Sequence, residues 1–334
     1  MINLYTPVEQ PSGLPRLTHA DRLMLLGSCF ASEMGERLKY SKFRCDVNPF
    51  GVLYNPLSIA AALRRMGEGR DYGADELFFY RECWHSPMHH GDFSSPEADE
   101  TLRRINIRLR EAHALLPRLD FLLLTFGTAW VYEEKGSGQV VANCHKLPES
   151  KFTRRKLSVE EVVVEYQPLL SDLFARNPEQ KVLFTVSPIR HIRDGLHANQ
   201  LSKATLLLAI EQLQVLFPRQ VFYFPAYELL LDELRDYRFY AEDLVHPSAV
   251  AVRYVWERFS QTCFSAESLR IVGESEKICK ALSHKPFRPE AEEYKRFLGQ
   301  IVLKINQLNG KYPYLDFQKE KEICHTRLKV SPNV

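Results

Sequence analysis

Four short, almost continuously apolar runs constrain the fold of this chain most strongly. They lie at Arg22–Leu26, Phe121–Phe126, Lys181–Val186 and Gln220–Phe224. Runs that are apolar at nearly every position are typical of parallel strands covered by helices on both faces, because a half-exposed strand would alternate apolar and polar residues. The sequence therefore predicts a buried, mostly parallel sheet.

Amphipathic helical stretches separate and follow these runs. The clearest are Leu57–Met66, Glu97–Leu116, Ser158–Ala175, Asn199–Leu216 and Ser248–Phe259. Strands that alternate with helices form right-handed βαβ crossovers. We therefore expect an α/β fold of three layers, α/β/α, around a doubly wound sheet. Such sheets bind ligands beyond the carboxyl ends of their strands.

The composition changes near residue 265, where the strand signals end. Two charged, helix-prone segments follow, Ile271–Leu282 and Glu290–Leu308. We predict one domain over residues 1–264 and a helical C-terminal extension over residues 265–334, packed on the domain or on a second subunit of an oligomer. Within the domain, Trp130–Asn143 is predicted to form a hairpin around a glycine-containing turn.

Charge and cysteine content favour some classes of protein over others. The formal net charge of +2 provides no global field for nucleic acid or an anionic membrane. No apolar run approaches the roughly 20 residues that cross a bilayer, and Met1–Pro15 lacks the pattern of a signal peptide. Seven dispersed cysteines without metal-binding spacing suit a reducing compartment. We expect a cytoplasmic protein without nucleic-acid or membrane partners.

The first apolar run ends directly in Gly-Ser-Cys-Phe-Ala, residues 27–31. Gly27 permits a tight turn from strand to helix, which would place Ser28 at the carboxyl edge of the sheet, beside a helix N-terminus that stabilises negative charge. A serine in this position suits acyl transfer, and the structural alternative is a helix N-cap. Cys29 is a rival nucleophile, although we expect it to be a small buried side chain.

A second motif, Asp243-Leu-Val-His246-Pro247-Ser248, precedes the last helix predicted for the domain. Proline suits the first position of a helix, so Asp243 and His246 are expected on the loop before it. There, Asp243 can bind Nδ1 of His246 and fix its tautomer, which leaves Nε2 to take a proton from a serine. The alternative is a capping acid beside a surface histidine.

Together, the two motifs resemble the layout of SGNH (GDSL-type) hydrolases, in which a serine follows the first strand and Asp-x-x-His opens the last helix. The first motif also matches the name-giving motif of the GSCFA family, an SGNH-like branch, and the resemblance covers about residues 20–260. Further similar segments are Asn48–Pro56, Ala142–Lys146 and Ser187–Lys203. The resemblance implies an SGNH or flavodoxin-like sheet and a catalytic triad of Ser28, Asp243 and His246.

The resemblance also implies an oxyanion hole. Its donors would be the backbone N–H of Ser28, the backbone N–H of Gly51 and the side chain of Asn55. The alternative for Asn55 is a turn-forming role, since Asn-Pro dipeptides commonly begin turns and helices.

The third sequence block of the SGNH hydrolases, Gly-x-Asn-Asp, is matched here by Gly127-Thr128-Ala129-Trp130. Ala129 therefore stands in the asparagine position. Either Thr128 donates in its place, or Asn143 or His145 enters the site.

Two histidine-rich loops add further candidates. One is Trp84–His90, and the other begins at Arg190, shortly after the third apolar run. The position after a strand predicts substrate binding by His191, His197 and Asn199. A metal site is the weaker interpretation, because the loops show none of the established metal-binding spacings.

These patterns predict a serine-dependent acyl-ester hydrolase or acyltransferase that needs no cofactor and acts on a small or carbohydrate-linked ester. Hydrolysis and transfer use the same residues, so the sequence does not separate them. Two alternatives stay open. One is a non-catalytic ligand-binding protein with this fold, which Ala129 favours, and the other is a metal-dependent hydrolase built from the histidine-rich loops.

Overall fold

A computed structural model describes residues 6–283, 286–288 and 290–329 of the protein. The strands are, in chain order, β1 (Arg22–Gly27), β2 (Arg44–Val47), β3 (Phe78–Tyr80), β4 (Cys83–His85), β5 (Phe121–Phe126), β6 (Trp130–Glu134), β7 (Val140–Val141), β8 (Phe152–Lys156), β9 (Lys181–Val186) and β10 (Val221–Tyr223). The α-helices are α1 (Cys29–Tyr40), α2 (Pro56–Glu68), α3 (Ala98–Leu115), α4 (Val159–Arg176), α5 (Gly195–Leu216), α6 (Ala226–Glu228), α7 (Ala249–Cys263), α8 (Ala266–Ser283), α9 (Glu292–Lys311) and α10 (Gln318–Leu328).

Five parallel strands form the central sheet, in the order β2-β1-β5-β9-β10. Counted along the chain, this is the 2-1-3-4-5 order of doubly wound folds, in which ligands bind where the order reverses. The reversal lies between β1 and β5, so the carboxyl ends of these two strands border the predicted binding edge.

Helices cover both faces of this sheet. On β5, Leu122 and Leu124 belong to a core that also contains residues of α2, α3, α4 and α5. The alternate residues Phe121 and Leu123 belong to a second core, which contains residues of α1 and α7. Because neighbouring residues of one strand serve different cores, both faces are buried. The prediction of a three-layer α/β/α fold is confirmed.

Two small antiparallel sheets accompany the central one. The predicted hairpin is confirmed as β6 paired with β7, and β8 pairs along the other side of β6 as a strand that the sequence did not indicate. A separate hairpin joins β3 to β4.

The C-terminal helices share a core of their own. Leu298, Ile305 and Phe317 are buried in it with residues of α8. An ion pair of 2.7 Å between Lys42 and Glu320, both largely buried, connects α10 to the turn after α1. The extension thus packs on the domain through polar as well as apolar contacts. Among the described residues, no helix is long and apolar enough to cross a membrane.

Candidate active site

Ser28 lies between β1 and α1, at the carboxyl edge of the central sheet. It holds the N-cap position of α1 with extended backbone angles, but its side chain makes no capping hydrogen bond. Only 2% of the residue is exposed, and Oγ has no hydrogen-bond partner among the described residues. Since a buried hydroxyl without a partner costs free energy, capping does not account for this serine.

Two glycines let the surrounding segments meet at Ser28. Gly27 has a φ angle of +147°, and a Cβ atom there would lie 2.3 Å from the carbonyl oxygen of Thr125 on β5. A Cβ atom on Gly127 would lie 2.9 Å from the carbonyl oxygen of Tyr54 and 3.5 Å from Cβ of Ser28. Larger residues at either position would push β1, β5 or the Tyr54 loop away from the serine.

The Asp243–His246 loop approaches the same edge from the start of α7. Nδ1 of His246 lies 2.6 Å from Oδ2 of Asp243. Oδ1 of Asp243 accepts the backbone N–H groups of Val245 and His246, each at 2.9 Å. Ser248 then caps α7 by accepting the N–H of Ala251. The loop therefore presents His246 with its Nδ1 already occupied by a carboxylate.

Ser28 and His246 line one cleft of about 550 Å³. No hydrogen bond joins Oγ of Ser28 to His246 in the described part of the chain, so the two share the cleft without bonding. Two other grooves have comparable volumes of about 600 and 630 Å³, but neither Ser28 nor His246 lines them. The cleft at the sheet edge is therefore the one that joins the two sequence motifs.

The structure corrects the oxyanion role predicted for Gly51. Its backbone N–H donates to the carbonyl oxygen of Asn48 at 2.7 Å, and the residue does not line the cleft. Glycine is needed there for another reason, because its φ angle is +75° and a Cβ atom would lie 2.2 Å from Cβ of His90. The sequence showed the glycine but not the turn that uses its N–H.

Asn55 both caps α2 and lines the cleft. Its Oδ1 accepts the N–H of Ser58, and its Nδ2 donates to Oγ of Ser58, each at 2.9 Å. The turn-forming alternative thus describes part of its role. A side-chain amide carries two N–H groups, however, and Ser58 takes only one of them. The other is a candidate donor near Ser28.

Thr128 lines the cleft directly after β5. Its hydroxyl accepts the N–H of Trp130 at 3.0 Å and lies 3.2 Å from Oγ of Ser202. Ala129 is fully buried in the core, and its N–H donates to Ser202 at 2.8 Å. A larger polar side chain at position 129 would enter that core, so any replacement for the expected asparagine comes from another position.

Asn143 and His191, two of the predicted site residues, both line the cleft. Oδ1 of Asn143 accepts the N–H of His145 at 2.9 Å, which leaves its amide hydrogens available to a ligand. Burial, followed by the nearby Lys203, lowers the pKa of His191 to about 4. His191 is therefore neutral near pH 7, and its buried Nε2 has no partner among the described residues.

Three other predicted site residues, His145, His197 and Asn199, do not line the cleft. Nε2 of His145 lies 2.8 Å from the carbonyl oxygen of Ser86, and its ring packs against another histidine. His197 is exposed on α5. Asn199 is buried, and its Oδ1 accepts the N–H of His191 at 3.1 Å, so it positions the loop that carries His191.

Cys29 differs from the expectation of a small buried side chain. It is exposed at the cleft, and its Sγ lies 3.4 Å from the hydroxyl of Tyr54. Burial is the largest cause that raises the pKa of Tyr54 above its usual value, so this hydroxyl stays protonated. Cys29 and Ser28 thus have different surroundings, as expected for neighbours in a tight turn.

Lys203 was not predicted, because its place in an amphipathic helix carries no sign of a site. It is fully buried, and Nζ donates to the carbonyl oxygens of Gly127 at 2.6 Å and Ser187 at 2.8 Å. These carbonyls follow β5 and β9. The lysine therefore ties together the two strand ends that form the floor of the cleft.

Three arginines at the cleft were also missed. Arg154 lines the cleft on β8 and packs over Trp130, although the basic pair Arg154-Arg155 is typical of a solvated surface. Arg190 and Arg193, in the loop after β9, line it as well. A prediction of strand β8 from the sequence would have indicated that Arg154 lies near the sheet edge.

The histidine-rich loops do not meet in a cluster typical of a metal centre. Over residues 6–283, 286–288 and 290–329, no group of three or more histidine, cysteine, aspartate or glutamate side chains is arranged to hold a metal ion.

A family model described as the GSCFA family matches residues 22–259. A second model, described as the C-terminal domain of GSCFA domain proteins, matches residues 275–330. No curated protein matches the sequence.

Proposed function

The chain belongs to the GSCFA family, and we propose that it is a serine-dependent acyl-ester hydrolase or acyltransferase of the SGNH type, acting on a small or carbohydrate-linked ester. One observation carries the proposal. The hydroxyl of Ser28 is buried, has no hydrogen-bond partner among the described residues, and shares a cleft with His246, whose Nδ1 is bound by Asp243. The 2-1-3-4-5 strand order and the Asp-x-x-His loop before α7 support the relation to SGNH enzymes.

In this mechanism, Oγ of Ser28 attacks the acyl carbon while Nε2 of His246 takes the hydroxyl proton. Asp243 keeps the imidazole in the correct tautomer and stabilises its positive charge. The tetrahedral intermediate then collapses, the bond to the alcohol oxygen breaks, and His246 returns the proton to the leaving alcohol. An acyl group remains on Ser28. The approach of Ser28 to His246 tightens when substrate binds, as is common for catalytic hydrogen bonds.

The oxyanion of the intermediate needs donors beside Ser28. The N–H of Ser28 itself is one, and the second N–H of Asn55 is the other candidate, because Asn55 lines the same cleft and Ser58 takes only one of its two amide hydrogens. The hydroxyl of Thr128 can donate a further hydrogen bond to the oxyanion when its proton points into the cleft and Ser202 donates to Thr128 instead. Each such donor is worth about 3 kcal/mol of transition-state stabilisation. Asn55 thereby replaces the asparagine that is missing at position 129.

The second half of the reaction decides between hydrolysis and transfer. His246 takes a proton from either a water molecule or an acceptor alcohol, and the activated oxygen attacks the acyl carbon on Ser28. The bond between the acyl group and Oγ then breaks, which frees the serine and releases the acid or the new ester. Both routes use the same residues. They are separated by adding an acceptor alcohol, such as a monosaccharide, and measuring whether acylated acceptor or free acid accumulates.

The proposal is tested by steady-state hydrolysis of 4-nitrophenyl acetate and of acetylated sugars. His246→Gln removes the base and is expected to lower kcat/KM by about 10³-fold. His197→Gln, a change at an exposed histidine outside the cleft, is the matched control and is expected to match wild type. Equal rates for both variants and wild type would reject the His246 mechanism.

A non-catalytic role in ligand binding is the second candidate. The observation that favours it is the absence of a hydrogen bond between Ser28 and His246 in the described residues. It predicts that the purified protein binds an ester without consuming it. Binding by calorimetry together with unchanged ester after long incubation would support this candidate over the enzyme.

We further propose a cytoplasmic location for the enzyme. The proposal rests on the seven cysteines of the sequence, all of which are unpaired, as is usual for proteins of reducing compartments. Cell fractionation tests it, and recovery of the protein outside the cytoplasmic fraction would refute it.

A further inference from the structure

The cleft carries more positive than negative side chains. Three arginines line it, Arg154, Arg190 and Arg193, with one carboxylate, Asp194. Nζ of Lys203 lies behind its floor and donates to two carbonyl oxygens, and burial lowers the pKa of Lys203 to about 7, so the arginines supply most of the positive charge. Such a cleft favours an anionic ligand where one of these arginines lacks an acidic partner.

Two of the three arginines already have carboxylate partners. The two terminal guanidinium nitrogens of Arg154 contact Asp194, one of them at 2.6 Å. Arg193 contacts Glu149 at 2.6 Å and also the hydroxyl of Tyr132. These contacts fix the two side chains and neutralise their charge, so neither is free to bind a ligand with its full strength.

Arg190 has no carboxylate partner in the described part of the chain. Its guanidinium packs over the ring of Tyr240 with 4.5 Å to the ring centre. Stacking on an aromatic face holds a guanidinium in place without using its N–H donors on an acid. Arg190 is therefore a positioned, uncompensated cation at the wall of the cleft.

The backbone also places Arg190 on the His246 side of the cleft. Its N–H approaches the carbonyl oxygen of Val245 at 3.5 Å, the residue before His246. In the proposed reaction, His246 returns a proton to the leaving alcohol. The alcohol part of the substrate consequently lies on the side of the cleft that carries Arg190.

We propose that the cleft selects esters whose alcohol part bears a carboxylate or phosphate group, and that Arg190 binds that group. The proposal rests on the esterase function given above. A guanidinium presents two parallel N–H donors that fit the oxygens of a carboxylate and of a phosphate equally, so Arg190 can bind either group.

The test compares esters that share an acyl group and differ in the charge of the alcohol. 4-Acetoxybenzoate has an anionic alcohol part, and its methyl ester is the neutral counterpart. Acetylated glycerol phosphate and acetylated glycerol form the phosphate pair. A third pair places the charge on the acyl side, with 4-nitrophenyl hemisuccinate against 4-nitrophenyl pentanoate. We expect wild type to prefer the anionic member of the first pair, the second pair or both, and to show no preference in the third.

Arg190→Gln is expected to lower the ratio of kcat/KM for anionic over neutral alcohol esters by about 10- to 100-fold, the usual effect of losing a hydrogen bond to a charged group. Arg190→Lys retains the charge and is expected to recover part of the ratio. Arg193→Gln removes a charge from the same cleft, but one paired with Glu149, and serves as the matched control with a ratio near that of wild type.

Different outcomes separate this inference from the proposed function. Hydrolysis with equal ratios in wild type and Arg190→Gln, or a preference only for the charged acyl group, overturns the inference and leaves the esterase standing. If no ester is hydrolysed, the esterase fails, and calorimetry with the product 4-hydroxybenzoate decides the anion site alone. Binding that Arg190→Gln abolishes supports the site, and binding that it leaves unchanged overturns it.

Discussion

Asp243 accepts two hydrogen bonds from His246, one from the imidazole ring and one from the backbone. Nδ1 of His246 lies 2.6 Å from Oδ2, and the backbone N–H of His246 lies 2.9 Å from Oδ1. These bonds, with the N–H of Val245, lower the pKa of Asp243 to about 2, and the backbone bond from His246 is the largest cause. The carboxylate stays ionised throughout the pH range in which the enzyme is expected to work.

Replacing Asp243 with asparagine should remove most of the activity while leaving the fold intact. The amide supplies no charge to stabilise an imidazolium and allows the wrong tautomer of His246, so we expect kcat to fall by about 10³- to 10⁴-fold, as for other triads. Steady-state kinetics measure the effect. Glu242→Gln removes one negative charge from the same loop and is the control, and a loss of similar size in both variants would argue against a specific role for Asp243.

Acid is expected to weaken the attachment of α8 to the domain. Nδ1 of His19 lies 3.0 Å from Oγ of Ser268 on α8, and Nε2 lies 2.9 Å from the carbonyl oxygen of Ser41. Burial lowers the pKa of His19 to about 4. His19 in the unfolded chain takes up a proton at a higher pH than His19 in the folded protein. The free energy of unfolding therefore contains the full contribution of neutral, buried His19 above about pH 6.5, and it falls by about 3 kcal/mol as the pH drops toward 4.

Urea unfolding of wild type and His19→Gln between about pH 7 and pH 4.5 measures this contribution. The free energy of unfolding of the variant should depend less on pH than that of wild type, since only wild type loses the neutral His19. His197→Gln, at an exposed site, is expected to keep the wild-type slope. Identical slopes for all three proteins would show that His19 does not titrate on unfolding.

Gly27→Ala tests the close approach of β1 and β5 at the serine. The added Cβ would lie 2.3 Å from the carbonyl oxygen of Thr125, at a φ angle of +147° that other residues rarely adopt. We expect a loss of at least about 2 kcal/mol in the free energy of unfolding and loss of activity through displacement of Ser28. Gly136→Ala, where a Cβ meets nothing within 4 Å, is the control in thermal unfolding. Equal stability of the two variants would contradict the close packing at Gly27.

The central strands were predictable because burial on both faces leaves a strong pattern. All four apolar runs became strands of the central sheet. β2 escaped prediction because it is an edge strand with Arg44 and Asp46 among its four residues. β8 escaped because Arg154 and Arg155 look like a solvated surface until their acidic partners, distant in sequence, are known.

The residues of the candidate site also fall into those that the sequence predicted and those that it did not. The topology rule places Ser28 at the ligand-binding edge because it directly follows β1. The expectation that His246 joins it came from the resemblance of the Asp243-x-x-His246 motif to SGNH hydrolases, and both residues line one cleft. Gly51 and Lys203 were misplaced or missed because their roles depend on which carbonyl oxygen each contacts. Such contacts are set by turns and by packing between distant segments, and neither periodicity nor spacing encodes them.

Labelling with a fluorophosphonate probe shows directly whether Ser28 is an activated nucleophile. The probe reacts with an activated serine, and mass spectrometry locates the adduct in wild type, Ser28→Ala and Cys29→Ala. We expect one adduct, on Ser28, which the Cys29→Ala variant retains and the Ser28→Ala variant lacks. An adduct on Cys29, or folded protein that remains unlabelled in every variant, would contradict the assignment of Ser28 as the nucleophile.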